Sequence, residues 1–338
     1  MPTAKERAVV ICPGRGTYNA TEWGYLGNRH SDKADLFRTF DDYRRNQGQP
    51  TLTELDSELP YSLKTHSRGD HASPLIYACA YADFLDIDRE RYDIVAVTGN
   101  SMGWYIGLAV AGALSSTDGM HLVNTMGSLM HEHRIGGQLL IPWVDDNWQP
   151  DWEKRRTYLK LAEDITASRQ GLAYLSIDLG GMLVFGADRP GITALEKALP
   201  KSDRFPMRLH NHAAFHTPLQ QPVRDIARQT LGPEPFQRPV IPLVDGRGHI
   251  WTPWSTDTEA LWDYTLGHQL TEPYDFTRAV DVTVKEFAPD AVFVLGPGNT
   301  LFGAVAQSLI LSGWDGVETK GQVKQLANRL IHSLGSTR

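Results

Sequence analysis

Between residues 92 and 114 the chain passes from a valine-rich alternating run, through a glycine-flanked pentapeptide, into a mostly apolar stretch. Tyr92 to Thr98 reads as a strand, Gly99-Asn100-Ser101-Met102-Gly103 as a sharp turn, and Trp104 to Leu114 as a helix. This is the strand-to-helix step of a parallel α/β domain, and it constrains the fold more than any other segment. It also supplies the context in which G-x-S-x-G carries chemistry. The flanking glycines allow the tight turn, and the serine projects at a helix N-terminus, where backbone N–H groups and the helix dipole favour a developing oxyanion.

The rest of the chain alternates in the same way. Ala8 to Ile11 reads as a strand ending at Pro13-Gly14-Arg15-Gly16. Residues 20–70 are polar and charge-dense and read as short surface helices and loops. Pro74 to Leu85 reads as a helix opened by its proline, and Thr117 to His131 as a helix after a Ser-Ser-Thr-Asp cluster. From about residue 132 the pattern changes. Gln138–Val144, Ala173–Asp178, Met182–Phe185 and Phe205–Leu209 read as strands, with helices over Asp151–Ala167 and Pro190–Leu199. That order is βαββαβ, the ferredoxin-like arrangement. Pro239–Val244 and Ala291–Leu295 read as further strands, among helices over Trp262–Leu270, Tyr274–Phe287 and Leu301–Leu311. The expected fold is a large α/β unit formed by residues 1–131 and 206–338, interrupted by a small ferredoxin-like unit at 132–205.

Composition excludes several classes. With 33 Lys+Arg against 40 Asp+Glu the net charge is −7, which argues against broad binding to nucleic acid or to an anionic membrane. No apolar run approaches the roughly 18–20 residues of a membrane helix. Ala8–Cys12 is too short for the apolar region of a signal peptide. Cys12 and Cys79 are the only cysteines, so a reduced, cytoplasmic setting is expected.

A serine nucleophile needs a base. His216, in Ala213-Ala214-Phe215-His216-Thr217-Pro218-Leu219, follows the last strand of the small unit, where the chain re-enters the large one and can reach across a cleft. His210 and His212 lie close by, but their spacing fits no zinc-ligand pattern, and no metal is expected.

The segment Gly99-Asn100-Ser101-Met102-Gly103-Trp104-Tyr105 through Ala111-Gly112-Ala113-Leu114 resembles the nucleophile region of malonyl-CoA:acyl carrier protein transacylases and polyketide-synthase acyltransferase domains. Four more segments resemble that family in the right order: Pro13-Gly14-Arg15-Gly16, Phe215-His216-Thr217-Pro218-Leu219, His268-Gln269-Leu270 and Gly296-Pro297-Gly298-Asn299-Thr300-Leu301. The resemblance covers nearly the whole chain. It implies an α/β-hydrolase-like large subdomain carrying an inserted ferredoxin-like one. It also implies a two-step acyl transfer, from acyl-CoA to Ser101 and on to the phosphopantetheine thiol of an acyl carrier protein, in fatty-acid or polyketide-type biosynthesis. In that scheme His216 is the general base, oriented by the backbone carbonyl of Gln269, and the backbone N–H groups of Met102 and Arg15 hold the oxyanion. No bound cofactor is implied.

Departures from the family pattern bear on the substrate. Arg15 stands where the family usually has Gln, Asn100 where it has His, and Trp104 where it has Glu or Gln. The arginine that grips the malonyl carboxylate in the family corresponds to Met126, which cannot make a bidentate carboxylate pair. Two readings follow: a monoacyl substrate in an apolar pocket, or a malonyl group whose charge Arg15 meets from another direction. Phe215 resembles malonyl-type members. Arg15, Asn100, Met126 and Phe215 are thus the candidate substrate contacts. Lys154, Arg155, Arg156 and Lys160, on one predicted helix, are a candidate docking face for an acidic carrier protein. The rival functions are a thioester hydrolase acting on acyl-CoA or acyl-carrier protein, a stand-alone serine esterase, and a catalytically silent acyl-chain or carrier-protein binding module.

Overall fold

The computed structural model describes residues 4–202, 204–326 and 330–336. In chain order its strands are β1 (Glu6–Cys12), β2 (Tyr92–Gly99), β3 (Gly137–Pro142), β4 (Ala173–Leu179), β5 (Met182–Ala187), β6 (Met207–Arg208), β7 (Leu243–Val244), β8 (Ile250–Trp251), β9 (Tyr274–Asp275), β10 (Ala291–Val294) and β11 (Ile331–Ser333). They form two sheets. The larger runs β11-β10-β1-β2-β7-β8, parallel from β11 to β7 and closed by the antiparallel β7–β8 pair. Its central strands are continuous apolar runs, Ala8–Cys12 and Ala291–Val294, buried throughout, as strands covered on both faces must be.

The smaller sheet runs β6-β3-β5-β4-β9. Its first four strands pair antiparallel, and with the helices Trp152–Ala167 and Arg189–Ala198 they complete a ferredoxin-like βαββαβ unit. The helices start where their caps dictate: Asp151 accepts from the Lys154 N–H and Asp188 from the Gly191 N–H. This unit has its own core around Leu139, Phe185, Leu183 and Leu195. The fold is therefore α/β, a large parallel-sheet unit with a small ferredoxin-like one, as the sequence suggested.

The structure departs from the sequence reading in four places. β6 lies at Met207–Arg208, past residue 205, where the small unit was expected to end. The helix expected from Tyr274 starts at Phe276, because Asp275 caps it by accepting from the Arg278 N–H. That leaves Tyr274 and Asp275 extended, and they pair with Ile177 and Asp178 on the edge of the small sheet. Pro74 does not open its helix, which spans Gly69–Leu85. A proline there has no N–H for the carbonyl of Asp70, and the Arg44 Nη1 takes that carbonyl instead, at 2.9 Å. Finally, residues 20–70 are not all surface. The helix Ala34–Asn46 buries Phe37, Phe40, Asp41 and Arg44. Residues 1–3, 203, 327–329 and 337–338, which belong to the expected units, lie outside the described residues.

Candidate active site

β1 and β2 are parallel neighbours, so the turns that leave their C-terminal ends lie side by side, where open parallel sheets place their ligands. The turn after β2 is held by contacts that only glycine permits. A Cβ on Gly99 would sit 2.4 Å from Gly103 backbone atoms, and one on Gly103 would sit 2.3 Å from the Cys12 carbonyl. Between them Ser101 adopts φ 56°, a left-handed conformation that costs a serine about 1–3 kcal/mol. The surroundings enforce it. The Ser101 carbonyl accepts from the Trp104 N–H at 3.0 Å and from Gln269 Nε2 at 3.1 Å, and the Gly99 carbonyl accepts from the Tyr274 hydroxyl at 2.6 Å.

The base arrives from 115 residues away. His216 Nε2 lies 2.7 Å from Ser101 Oγ, and His216 Nδ1 lies 2.6 Å from the Gln269 carbonyl. A carbonyl can only accept, so Nδ1 carries the proton and Nε2 is free to accept the serine proton. No carboxylate is needed to fix that tautomer. His216 also has a left-handed φ, 55°, and is buried. Burial pushes its pKa down to about 4, against the opposing pull of the Gln269 carbonyl, so the imidazole is neutral at ordinary pH and available as a base. The Gln269 side chain completes the assembly by accepting from the Tyr105 hydroxyl at 2.9 Å.

Two backbone donors at this cleft have no other duties. Among the described residues, neither the Met102 nor the Arg15 N–H donates to a protein acceptor. Both residues line a cleft of about 380 Å³, open mouth included, together with Ser101, His216 and Gln269. Its inner wall is apolar. Val123, Met126 and Met130 come from successive turns of one face of the helix Ser116–Glu132, and Tyr105 and Phe215 complete it.

Arg15 is the cation of this cleft. Its Nη2 donates to the carbonyls of Ser67 (3.0 Å) and Asn211 (3.2 Å), and its guanidinium lies 5.5 Å from the centre of the Phe215 ring. Its Nε is sealed from solvent and has no partner. Arg15 forms no ion pair among the described residues, and burial draws its pKa down to about 10, partly offset by the more distant Asp70.

The structure thus brings together Ser101, His216, Gln269, Met102, Arg15, Met126 and Phe215. It does not bring in Asn100. That residue holds the turn through its backbone, with its N–H on the Cys12 carbonyl and its carbonyl on the Gly103 N–H, while its side chain lies against Gly14 rather than on the cleft. The basic helix is also less available than its sequence suggests. Arg155 pairs with Asp178, and Lys160 with Asp164 one turn on. Lys154 lies 5.9 Å from the Tyr158 ring centre, and Arg156 is exposed. Tyr274, Tyr105 and the Gln269 side chain were missed as supports of the nucleophile, and Val123 and Met130 as cleft walls. The helical spacing of 123 and 130 around Met126 was a readable signal for those two; nothing local marks the first three. No group of three or more His, Cys, Asp or Glu side chains among the described residues could hold a metal ion.

No protein-family model matches the chain. Among curated proteins it is 23% identical over 305 residues to a phenolphthiocerol/phthiocerol polyketide synthase component of Mycobacterium tuberculosis, covering 90% of this chain and 19% of that protein. It is 24% identical over 215 residues to the malonyl CoA-acyl carrier protein transacylase of Salmonella typhimurium, covering 61% and 63% of the two. The chain therefore spans less than two thirds of the length of each. Among solved structures it superimposes on the acyl-carrier-protein S-malonyltransferase of Burkholderia pseudomallei with a TM-score of 0.74 at 20% identity, covering 98% and 97% of the two chains. The chain has the malonyl-transacylase fold. The resemblance read from its five sequence landmarks extends to sequences named as malonyl transacylases and as polyketide synthases. Within the transacylase fold, Arg15 and Met126 reach the same cleft from two different elements, the turn after β1 and the helix Ser116–Glu132.

Proposed function

We propose that this protein is an acyltransferase that moves an acyl group from acyl-CoA to the phosphopantetheine thiol of an acyl carrier protein. The observation that carries this reading is the Ser101–His216–Gln269 carbonyl chain, with contacts of 2.7 and 2.6 Å, beside two unengaged backbone N–H groups. Ser101 Oγ attacks the thioester carbonyl as its proton passes to His216 Nε2, and the N–H groups of Met102 and Arg15 hold the oxyanion. The intermediate collapses with cleavage of the C–S bond. His216 returns the proton to the departing sulfur, leaving an acyl-serine, and the carrier thiol then repeats the steps in reverse. Neither half needs a bound cofactor. The catalytic unit is the large parallel-sheet unit, into which the ferredoxin-like unit is inserted from about residue 132 through its last strand, Met207–Arg208. Cys12 and Cys79 are buried and not joined in a disulfide, an arrangement that fits a cytoplasmic enzyme, and no helix among the described residues is long and apolar enough to cross a membrane.

The acyl chain lies along Val123, Met126 and Met130, a wall suited to a monoacyl group. One observation favours malonyl as a second reading: a cation, Arg15, lines the cleft with no ion-pair partner among the described residues, and an incoming carboxylate would pair with its charge. Incubation with a panel of acyl-CoAs, with and without holo carrier protein, tests the function. Acyl-carrier product with little free acid supports the transferase. Free acid at the same rate with or without carrier makes the protein a thioester hydrolase instead.

A further inference from the structure

His212 has no part in the chemistry above, yet its protonation is fixed by its surroundings. A buried relay runs from its ring to the loop that carries His216. His212 Nδ1 lies 2.7 Å from Gln138 Oε1, Gln138 Nε2 lies 2.6 Å from Ser176 Oγ, and Ser176 Oγ lies 2.7 Å from the Phe215 carbonyl. The direction of this relay follows from counting protons. The Phe215 carbonyl can only accept, so it takes the single hydroxyl proton of Ser176. Ser176 Oγ must then accept from Gln138, which turns its amide NH₂ toward Ser176 and its oxygen toward His212. His212 Nδ1 must therefore be the protonated nitrogen, and Nε2 the unprotonated one. Burial and the nearby Arg15 charge keep the ring neutral, well below the usual histidine range.

His212 Nε2 has no protein partner among the described residues, and it is not sealed from solvent. The ring forms part of a second cavity, about 570 Å³ with its mouth, whose other walls include Leu63, Ala72, Ile76 and Leu209. Arg15 lines both this cavity and the Ser101 cleft, so the two spaces are neighbours on either side of its side chain. A ligand that approaches Ser101 past Arg15 from this side would meet a largely apolar surface, an unengaged acceptor at His212, a cationic donor at Arg15, and further polar lining from Asn19, His66, Ser67 and His210.

We propose that His212 Nε2 is a recognition group for an amide N–H of the pantetheine arm, with Arg15 meeting an amide carbonyl of the same arm. This rests on the acyl-transfer reading, in which donor and acceptor both present that arm, a slender chain with two secondary amides. Gln138 and Ser176 act as positioning residues, since they set which nitrogen of His212 accepts.

The test compares three thioesters of one acyl group in wild type and His212→Phe: the CoA ester, the N-acetylcysteamine ester, which keeps one amide, and the S-ethyl ester, which has none. Loading of the serine is followed by intact-protein mass spectrometry. The assignment expects KM for the CoA ester to rise roughly three- to tenfold in the variant with kcat little changed, and S-ethyl loading to stay the same. Equal losses on the CoA and S-ethyl esters, or no loss on either, would overturn it. Nitrogen-15 NMR of the wild-type protein tests the relay without any variant: a His212 ring protonated at Nδ1 supports the assignment, and one protonated at Nε2 overturns it. If no thioester loads the wild-type protein, the acyl-transfer reading falls and this assignment with it, whereas equal losses remove this assignment alone.

Discussion

In the small unit the polar groups that start its helices act locally. Asp151 and Asp188 each cap the helix that begins beside them, and the strands between follow in hairpin and crossover order. In the large sheet the decisive polar contacts are distant in sequence. Ser101 meets His216 and Gln269, Tyr274 reaches back to Gly99, and the turns after β1 and β2 hold each other through Cys12, Asn100 and Gly103. The difference tracks backbone conformation. Ser101 and His216 both sit in left-handed conformations that a local sequence does not choose, and the packed large unit imposes them. The small sheet can therefore lose a contact cheaply, while the nucleophile turn cannot.

The largest expected effect breaks that turn. Gly103→Ala places a methyl group 2.3 Å from the Cys12 carbonyl, so either β1 or the turn must move. Denaturant unfolding is expected to show a loss of about 2–4 kcal/mol, with serine loading abolished. A fully active Gly103→Ala protein would show that the turn is not over-determined.

The pH profile probes the base. With the His216 pKa near 4, protonation removes the acceptor only in acid, so loading should stay flat as pH falls through 6.5, the value of an unperturbed histidine. Initial rates between about pH 5 and 8 measure this, and a tenfold loss per unit starting at 6.5 would place His216 in a more solvated site than the structure shows.

A smaller effect is expected on selectivity. Met126→Arg puts a cation on the apolar wall and should raise malonyl loading relative to a monoacyl group about tenfold, read by competition between the two CoA esters. An unchanged ratio would place carboxylate recognition at Arg15. The smallest effect belongs to the small unit: Asp188→Ala removes a helix cap and should cost about 1 kcal/mol by denaturant unfolding while leaving loading untouched. A loss of loading there would mean that the two units are more tightly coupled than their contacts suggest.

The same contrast explains what could be read from the sequence. The βαββαβ order, the Asp188 cap, the turn at Ser101 and the helical face around Met126 all carry local signals of period, cap or glycine spacing. His216 was marked by its place where the chain re-enters the large unit and then by the family resemblance, while the Gln269 carbonyl came only with the resemblance, since no local pattern links it to Ser101. Residues 34–46 misled because their charges suggested a solvated helix. In the fold, Asp41 accepts from the Leu52 N–H and the Thr53 hydroxyl, and Arg44 donates through Nε and Nη1 to the Pro50 and Asp70 carbonyls, so both charges are buried on partners elsewhere in the fold, with Arg44 Nη2 alone left without one among the described residues. Tyr274 misled because an apolar helical face follows it directly, and only the edge of the small sheet draws it into a strand.

The most direct test of the acyl-serine account is intact-protein mass spectrometry of wild type and Ser101→Ala after brief exposure to an acyl-CoA. The account predicts one added acyl group on the wild-type protein, mapped to Ser101, and none on a Ser101→Ala protein of unchanged unfolding midpoint. An adduct that persists in Ser101→Ala, or one mapped to another residue, would contradict it.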